Sequence, residues 1–352
     1  MALAIVPLST DTLPALRRFA EKVWQRPRSE DYYRWRYVQP PFHRAWLAMK
    51  DGEVLAMEAA IQRPWRLGEQ TVDVLEVFDW FALPELRNVG TGVRVMQALM
   101  KEPHPLMLVG GSADTQGLLP RLSWQRVATS SRWILALGTE RTGAALERRL
   151  RLPPALARAA ASAALRRPGQ RPRPRAVPRG GRVLATASIG PELLALYRGA
   201  LGYGTLPMWT EPMLRWLLAG FPGAGHFVPL CFAIDERPVG WSLLRVYPTA
   251  TGCDAEILEL FAPEADADLY TWMVSETTLR AAGFRPGLVG ARTTCPAVET
   301  AFRRNRFWQT SSDPVNFWLD GQPAPPGPYL VGSNTNDAAI VPMVERWWDA
   351  PS

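Results

Sequence analysis

The stretch that decides the fold is Trp80-Phe81-Ala82-Leu83-Pro84-Glu85-Leu86-Arg87-Asn88-Val89-Gly90-Thr91-Gly92-Val93-Arg94-Val95-Met96-Gln97-Ala98-Leu99. It reads as a strand, a turn and a helix. The run from Thr71 to Leu83 is rich in Val, Leu, Phe and Trp, and Pro84 ends it because proline has no backbone N–H for a ladder. Val93, Met96, Leu99 and Met100 then recur at helical spacing. Between them, Arg87-x-x-Gly90-x-Gly92 puts glycines where a backbone must turn tightly and let something approach. A glycine turn at a helix start aims several free N–H groups outward, and the positive end of the helix dipole adds to them. The result is a receptor for phosphate. A plain glycine turn is the competing reading of the loop taken alone. The spacing is not Gly-x-Gly-x-x-Gly, and the preceding strands read as antiparallel hairpins, which argues against a dinucleotide fold.

Working outward, Leu3 to Leu8 predicts a first strand, and a helix follows with Pro14 in its first turn and Leu13, Leu16, Ala20 and Val23 at core spacing. A second short helix is capped near Ser29 and stopped before Pro40. Ala45 to Lys50 and Glu53 to Gln62 form a hairpin across Asp51-Gly52, and a turn around Gly68 leads into the long strand. After the glycine loop come the helix, a strand from Pro105 to Gly110, a short helix near Gly117 to Leu122 and a strand from Trp133 to Leu137.

This order, together with Arg87, Gly90 and Gly92, resembles the GCN5-related N-acetyltransferases (GNAT). Their pyrophosphate loop has Arg or Gln, two residues, Gly, one residue, then Gly or Ala, between the fourth strand and the third helix. The resemblance covers about the first 138 residues. It implies an acyl-CoA held by Phe81, Ala82, Leu83, Arg87, Asn88, Val89, Gly90, Thr91, Gly92 and Val93, with backbone N–H groups from Asn88 to Val93 on the pyrophosphate. Trp35, Arg36, Tyr37 and Pro40 carry a second resemblance, to a branch of the same superfamily associated with bacterial surface-polysaccharide loci.

The second half repeats the first. Leu193 to Tyr197 is similar to Leu13 to Phe19, and Met213 to Leu217 to Tyr32 to Arg36. Asp235-Glu236-Arg237-Pro238 answers Asp51-Gly52 as a hairpin turn, and Ala255 to Glu264 answers the strand that ends at Phe81-Ala82-Leu83-Pro84-Glu85. The repeat breaks at the loop, where Glu264-Ala265-Asp266-Ala267-Asp268 has no glycine and three carboxylates that would repel a pyrophosphate. The expected fold class is therefore α+β (mixed α/β), with two tandem acetyltransferase-fold domains, each a mainly antiparallel sheet flanked by helices. Residues 1–138 hold the acyl-CoA loop, 139–182 are a helical and Arg/Pro-rich linker, 183–320 a degenerate second domain that supports or shapes the acceptor cleft, and 321–352 a tail. Within the tail, Val344-Glu345-Arg346-Trp347-Trp348 reads as a short strand or helix.

The net charge of +7 invites a nucleic-acid reading. Its location argues otherwise: Arg166, Arg167, Arg171, Arg173, Arg175, Arg179 and Arg182 account for the whole excess and lie in one Pro- and Gly-rich segment. A solvated linker is the favoured reading, and a patch for an anionic membrane surface or nucleic acid is the alternative. Three well-separated cysteines, Cys231, Cys253 and Cys295, suggest a reducing compartment. With no leader visible at the start of the chain, the expected localisation is cytoplasmic. His43, His104 and His226 are the only histidines, and no ligand spacing points to a metal.

Acyl transfer from a thioester to an amine needs a neutral amine, a site for the oxyanion and a proton for the leaving thiolate. Glu76 and Asp79 lie on the cofactor strand, and their odd separation predicts opposite faces, so only one of them faces the cleft. Asp79 ranks first, because the polysaccharide branch often has Asp five residues before the proline. The tyrosine that protonates the thiolate in many relatives falls on Leu119 here, which leaves Ser112 and Asp114 as substitutes, or solvent. Tyr33 and Trp35 are the candidate acceptor wall. The expected function is N-acyl transfer, most simply N-acetyl transfer, from acetyl-CoA or another acyl-CoA to a small-molecule or amino-sugar amine. Aminoacyl-tRNA and acyl carrier protein are alternative donors, and a catalytically silent binding protein is the alternative class.

Overall fold

The computed structural model describes residues 3–24, 28–86, 89–166, 172–220, 225–249 and 252–335, without the side chains of residues 145, 148 and 149. Along the chain come β1 (Ala4–Pro7), α1 (Leu13–Trp24), α2 (Glu30–Tyr33), β2 (His43–Lys50), β3 (Glu53–Leu67), β4 (Gln70–Ala82), α3 (Thr91–Leu99), β5 (Leu106–Val109) and α4 (Ala113–Leu118). Next are β6 (Gln125–Ala136), α5 (Thr139–Leu150), α6 (Pro154–Arg166), β7 (Gly181–Ala185), α7 (Pro191–Leu194), β8 (Thr205–Pro207) and α8 (Glu211–Ala219). The remainder is β9 (His226–Ile234), β10 (Arg237–Thr249), β11 (Gly252–Phe261), α9 (Ala267–Ala282), β12 (Leu288–Thr293), α10 (Pro296–Arg304) and β13 (Trp308–Trp318). No described helix is long and apolar enough to cross a membrane.

The chain divides into two compact units that cut across the sequence repeat. The first comprises residues 1–127, 207–221 and 315–325; the second comprises 128–206, 222–314 and 326–352. In the first unit the strand order is β1-β2-β3-β4-β5 and then the end of β13, with Val315 opposite Val109 and Trp318 opposite Leu106. Asp51 and Gly52 both take positive φ, as a tight hairpin turn between β2 and β3 requires, and the expected turn at Gly68 also forms with positive φ. β3 outlasts its expected end at Gln62 because it stays paired with β4 as far as Leu67.

The second unit has the order β6-β12-β11-β10-β9-β7. Its hairpin turn at Asp235 and Glu236 has both residues at positive φ, the same solution as in the first unit. The arginine linker enters this unit as an anchored strap. Ser275 Oγ donates to the Arg173 carbonyl at 2.9 Å and accepts from the Arg175 N–H at 3.2 Å. Arg182 lies in β7 and pairs with Glu236 at 2.6 Å. Arg173, Arg175 and Arg182 are therefore not part of a free linker, Arg166 ends α6, and Arg167 and Arg171 lie outside the described residues.

Two faces of the first unit's sheet matter for function. α3 covers one of them, with Ala60, Leu75, Val77, Met96, Leu99, Leu106, Leu108, Leu119 and Trp124 in a single apolar cluster. On the other, Trp65 meets Glu76 and Phe317, and Phe78 stacks on Tyr37, which follows α2.

Candidate active site

The donor end of the site is built by β4 and α3. Gly90 is the N-cap of α3 at φ +77°, a left-handed conformation that glycine adopts at little strain, and among the described residues no atom lies within 4 Å of where its Cβ would be. The N-cap residue itself has no side chain to cap the helix, and the first intrahelical bond runs from the Arg94 N–H to the Gly90 carbonyl at 3.1 Å. The N–H groups of Thr91, Gly92 and Val93 therefore lack intrahelical acceptors and sit at the positive end of the helix dipole. Gly92 has a different role: a Cβ there would lie 3.4 Å from Trp80 Nε1 and 3.7 Å from Ala82, so α3 packs close on β4. Trp80 reinforces this by donating its indole N–H to the Gly92 carbonyl at 2.9 Å. Arg87 and Asn88 lie outside the described residues.

β4 and β5 run parallel but pair only at Leu75 and Glu76 with Leu106 and Met107, and then diverge. The Leu83 N–H donates to the Leu55 carbonyl, which makes that position a hydrogen-bonded pair and turns Ala82's N–H and C=O toward the open edge. Beyond that short pairing the edge of β4 runs on toward the N-terminus of α3. These features fit an acyl-CoA: an anion seat with room around Gly90, and a free strand edge for an amide-bearing arm.

The reacting end is organised by a β-bulge. Ala59 faces Phe78 and Met57 faces Phe81, so Asp79 and Trp80 together oppose Glu58, and Asp79 takes φ +51°. The bulge overturns the expectation that Glu76 and Asp79 point to opposite faces. Phe78 stacks on Tyr37 on the same face as Glu76, and Asp79 reaches Tyr37 as well, because one left-handed residue breaks strand alternation. Both carboxylates are buried on the side away from α3.

Asp79 Oδ2 accepts from Arg36 Nη2 and from the Tyr37 hydroxyl, each at 2.5 Å. Arg36 also donates to the Tyr32 hydroxyl at 3.1 Å. Burial, with the buried Asp79 as a further cause, pushes the Tyr37 phenol well above its ordinary range. The segment carrying these partners is a π-turn, Arg34–Val38, closed by the Gln39 N–H on the Arg34 carbonyl at 2.9 Å. Its wider turn buries three consecutive large side chains, Trp35, Arg36 and Tyr37, where an α-helix would turn one of them outward. The expected Ser29 cap forms on α2, accepting from the Tyr32 N–H at 3.2 Å. Trp35 stacks on Trp216 of α8 at 4.8 Å, and Tyr33 is 1% exposed with its hydroxyl unpartnered and its pKa pushed up to about 12 by burial. Both residues are thus packed inside, with little exposed face to form a wall.

Glu76 is fully buried, accepts from Trp65 Nε1 at 2.9 Å and pairs with Arg63 at 3.3 Å. Arg63 in turn donates to the Met208 carbonyl and lies over Trp209. Ser112 is exposed and caps α4, accepting from the Thr115 N–H at 3.2 Å, and Asp114 is exposed in the first turn of that helix. Leu119 is a core residue of the α3 cluster. Sequence reasoning missed two buried groups. Among the described residues neither carboxylate oxygen of Glu58 has a partner, and desolvation holds its pKa well above 4.5. His43 Nδ1 contacts the Arg36 carbonyl while burial lowers its pKa to about 3. A charged residue at Glu58 between the alternating Ala56 and Ala60 was the available signal.

In the second unit, the place that answers the glycine loop has the opposite character. Asp266 accepts from the N–H groups of Asp268 and Leu269, so a carboxylate already occupies the helix N-terminus. A cavity of about 850 Å³ opens beside it, with Glu264, Asp266 and Asp268 on its lining.

Residues 10–103 match the Acetyltransferase (GNAT) family. That segment, which includes the strand, the glycine turn and the helix of the donor end, is similar to a GNAT domain. Solved structures agree on the fold. A GCN5-related N-acetyltransferase from Anabaena variabilis aligns over 90% of this chain and 72% of its own, at 12% identity and a TM-score of 0.60. Saccharomyces cerevisiae N-myristoyltransferase with bound myristoyl-CoA aligns over 90% and 82%, at 10% identity and a TM-score of 0.60. A tandem GNAT protein from the clavulanic acid biosynthesis pathway aligns over 92% and 100%, at 13% identity and a TM-score of 0.53. No curated protein sequence matches the chain. The fold is thus similar to that of a tandem GNAT protein, in line with the repeat.

Proposed function

We propose that this chain is an acyl-CoA-dependent N-acyltransferase, with acetyl transfer as its simplest form, acting on the amine of a small molecule or amino sugar. The observation that carries the reading is the α3 N-terminus behind left-handed Gly90, at the end of a bulged strand that parts from its parallel neighbour. Thr91, Gly92 and Val93 hold the pyrophosphate through backbone N–H groups, with Val89 and Gly90 shaping the turn. The edge of Phe81, Ala82 and Leu83 receives the arm that carries the thioester. Bound acyl-CoA supplies the activated acyl group; the protein aligns it and excludes water.

Asp79 is held by Arg36 and Tyr37, so its first role is positioning: it pins the π-turn to the bulge and fixes the strained backbone there. As a base it must first loosen that clamp. Glu76 is likewise engaged by Trp65 and Arg63. A weakly basic amine that arrives neutral needs least from either group, which favours an amino sugar over a lysine-like acceptor. Ser112 and Asp114, exposed after β5, are the groups through which the thiolate can regain a proton, directly or by way of water.

The buried Leu119 at the position of the missing tyrosine favours a second reading, a silent coenzyme-binding protein. Thermal unfolding with and without excess coenzyme A, beside a Gly90→Glu variant, tests the donor site, since a ligand bound only to the native state raises the midpoint. A shift lost in the variant supports it, and no shift in either protein overturns it. Thioester consumption with an amine panel then separates enzyme from silent binder.

A further inference from the structure

The second unit contains its own version of the slot that runs beside β4. β11 and β12 are parallel and pair only at Ala255, Glu256 and Ile257 with Val289, Gly290 and Ala291 before they diverge, as β4 and β5 do. Here the gap is filled. The Leu330 N–H donates to the Thr205 carbonyl at 2.9 Å. Val331 and Thr294 are tied twice, by the Thr294 N–H on the Val331 carbonyl at 3.1 Å and by the Val331 N–H on Thr294 Oγ1 at 2.9 Å. Gly332 then bridges Thr293 in antiparallel fashion.

Gly332 marks the position within the gap. A Cβ on it would lie 3.7 Å from the Leu258 carbonyl oxygen of β11 and 3.8 Å from the Arg292 carbonyl oxygen of β12, so the segment threads between the two strands. Beyond it, Asn334 Nδ2 donates to Glu259 Oε2, and Thr335 Oγ1 donates to the Gly332 carbonyl at 2.9 Å. Leu330, Val331, Ser333, Asn334 and Thr335 are all buried. With Phe261-Ala262 aligned on Phe81-Ala82, Glu259 is the repeat partner of Asp79. The first unit holds that carboxylate with a π-turn, and the second holds it with an amide from near the end of the chain.

We propose that residues 330–335 are a built-in occupant of the second unit's donor slot, so that one chain loads one acyl donor. The segment bonds to the β12 side of the gap at Thr293 and Thr294, and Asn334 reaches Glu259 on the β11 side, so an extended peptide closes the opening that an amide-bearing arm would need. With Asp266 already on the helix N-terminus, both halves of a donor site are taken by the protein itself. The inference rests on reading the first unit's slot as the donor site.

The test combines calorimetric titration of the full chain with coenzyme A and hydrogen exchange of peptides spanning β4–α3, β11, β12 and 330–335. The expected results are slow exchange at 330–335 before any ligand is added, one coenzyme A per chain, and ligand protection confined to β4–α3. Gly90→Glu should abolish all binding. Asn334→Asp, which sets a second carboxylate against Glu259, should speed exchange at 330–335 at least tenfold while leaving the single site's stoichiometry intact. Two coenzymes per chain, binding that survives Gly90→Glu, or coenzyme protection of 330–335 overturns the proposal. If coenzyme A binds nowhere, the donor reading of the first unit fails. Exchange at 330–335 in the free protein then still decides whether the slot is occupied, and fast exchange there overturns the occupancy on its own.

Discussion

Arg36 reaches across 43 residues of chain to donate to Asp79 at 2.5 Å, and both side chains are nearly sealed from solvent. The contact joins the two sequence features that resemble the polysaccharide branch, the Trp35-Arg36-Tyr37 segment and the strand carboxylate, in one structural unit.

Removing one partner of a buried pair leaves the other charge uncompensated, which is the expensive case. Asp79→Asn should lower unfolding free energy by about 3 kcal/mol, and Tyr37→Phe, which deletes one hydrogen bond, by about 1 kcal/mol. Chemical denaturation measures both. If Asp79→Asn keeps its stability and loses only turnover, Asp79 acts as a base and the clamp is secondary.

Glu58 and His43 give the first unit opposing pH dependences. Desolvation raises the folded-state pKa of Glu58, so its protonated form is the one the fold accepts. Stability should fall as pH rises above about 4.5, by up to ~1.4 kcal/mol per pH unit until the folded pKa is reached. Glu58→Gln should therefore be more stable than wild type at pH 8, with the difference shrinking toward pH 5 in parallel melts.

His43 has the reverse sign. Its pKa falls from 6.5 to about 3 on folding, chiefly through burial, so the unfolded chain binds the extra proton between those values. Stability contributed by neutral His43 is full above pH 6.5 and is lost as pH drops toward 3. Replacing it by Phe should flatten the acid limb of the stability profile between pH 6 and pH 4. An unchanged limb would show that His43 is not its source.

At Gly90, space and conformation can be separated. A methyl group meets nothing, yet φ +77° disfavours any side chain, so Gly90→Ala should reduce stability by about 1 kcal/mol and weaken coenzyme A only modestly. Gly90→Glu adds a like charge beside the phosphate seat and should abolish the coenzyme-dependent rise in Tm. Differential scanning with and without coenzyme A distinguishes the two variants.

Much of the fold was legible because it is written in local chemistry. Asp51-Gly52 and Asp235-Glu236 announce hairpins, Ser29 announces a helix start, and Gly90 announces a left-handed turn. The site was less legible because its decisive geometry breaks periodicity. An even-odd count along β4 fails at a single bulged residue, Asp79, and a 3.6-residue count fails across Arg34–Val38. Leu330 to Thr335 were unreadable for another reason. Their partners, Thr205, Thr294 and Glu259, are set by tertiary packing and leave no trace in local pattern.

The allocation of strands has a practical meaning for anyone who would cut this gene. From Ala128 on, β6 is encoded in the first half of the repeat but pairs with β12, and Val315 to Trp318 are encoded in the second half but pair with β5. Scission at the arginine linker would give two fragments, each short of a strand it needs and carrying one that belongs to the other. Such pieces should be insoluble when expressed singly and recoverable only together, so the protein is a natural scaffold for split-reporter complementation and a poor one for domain transplantation.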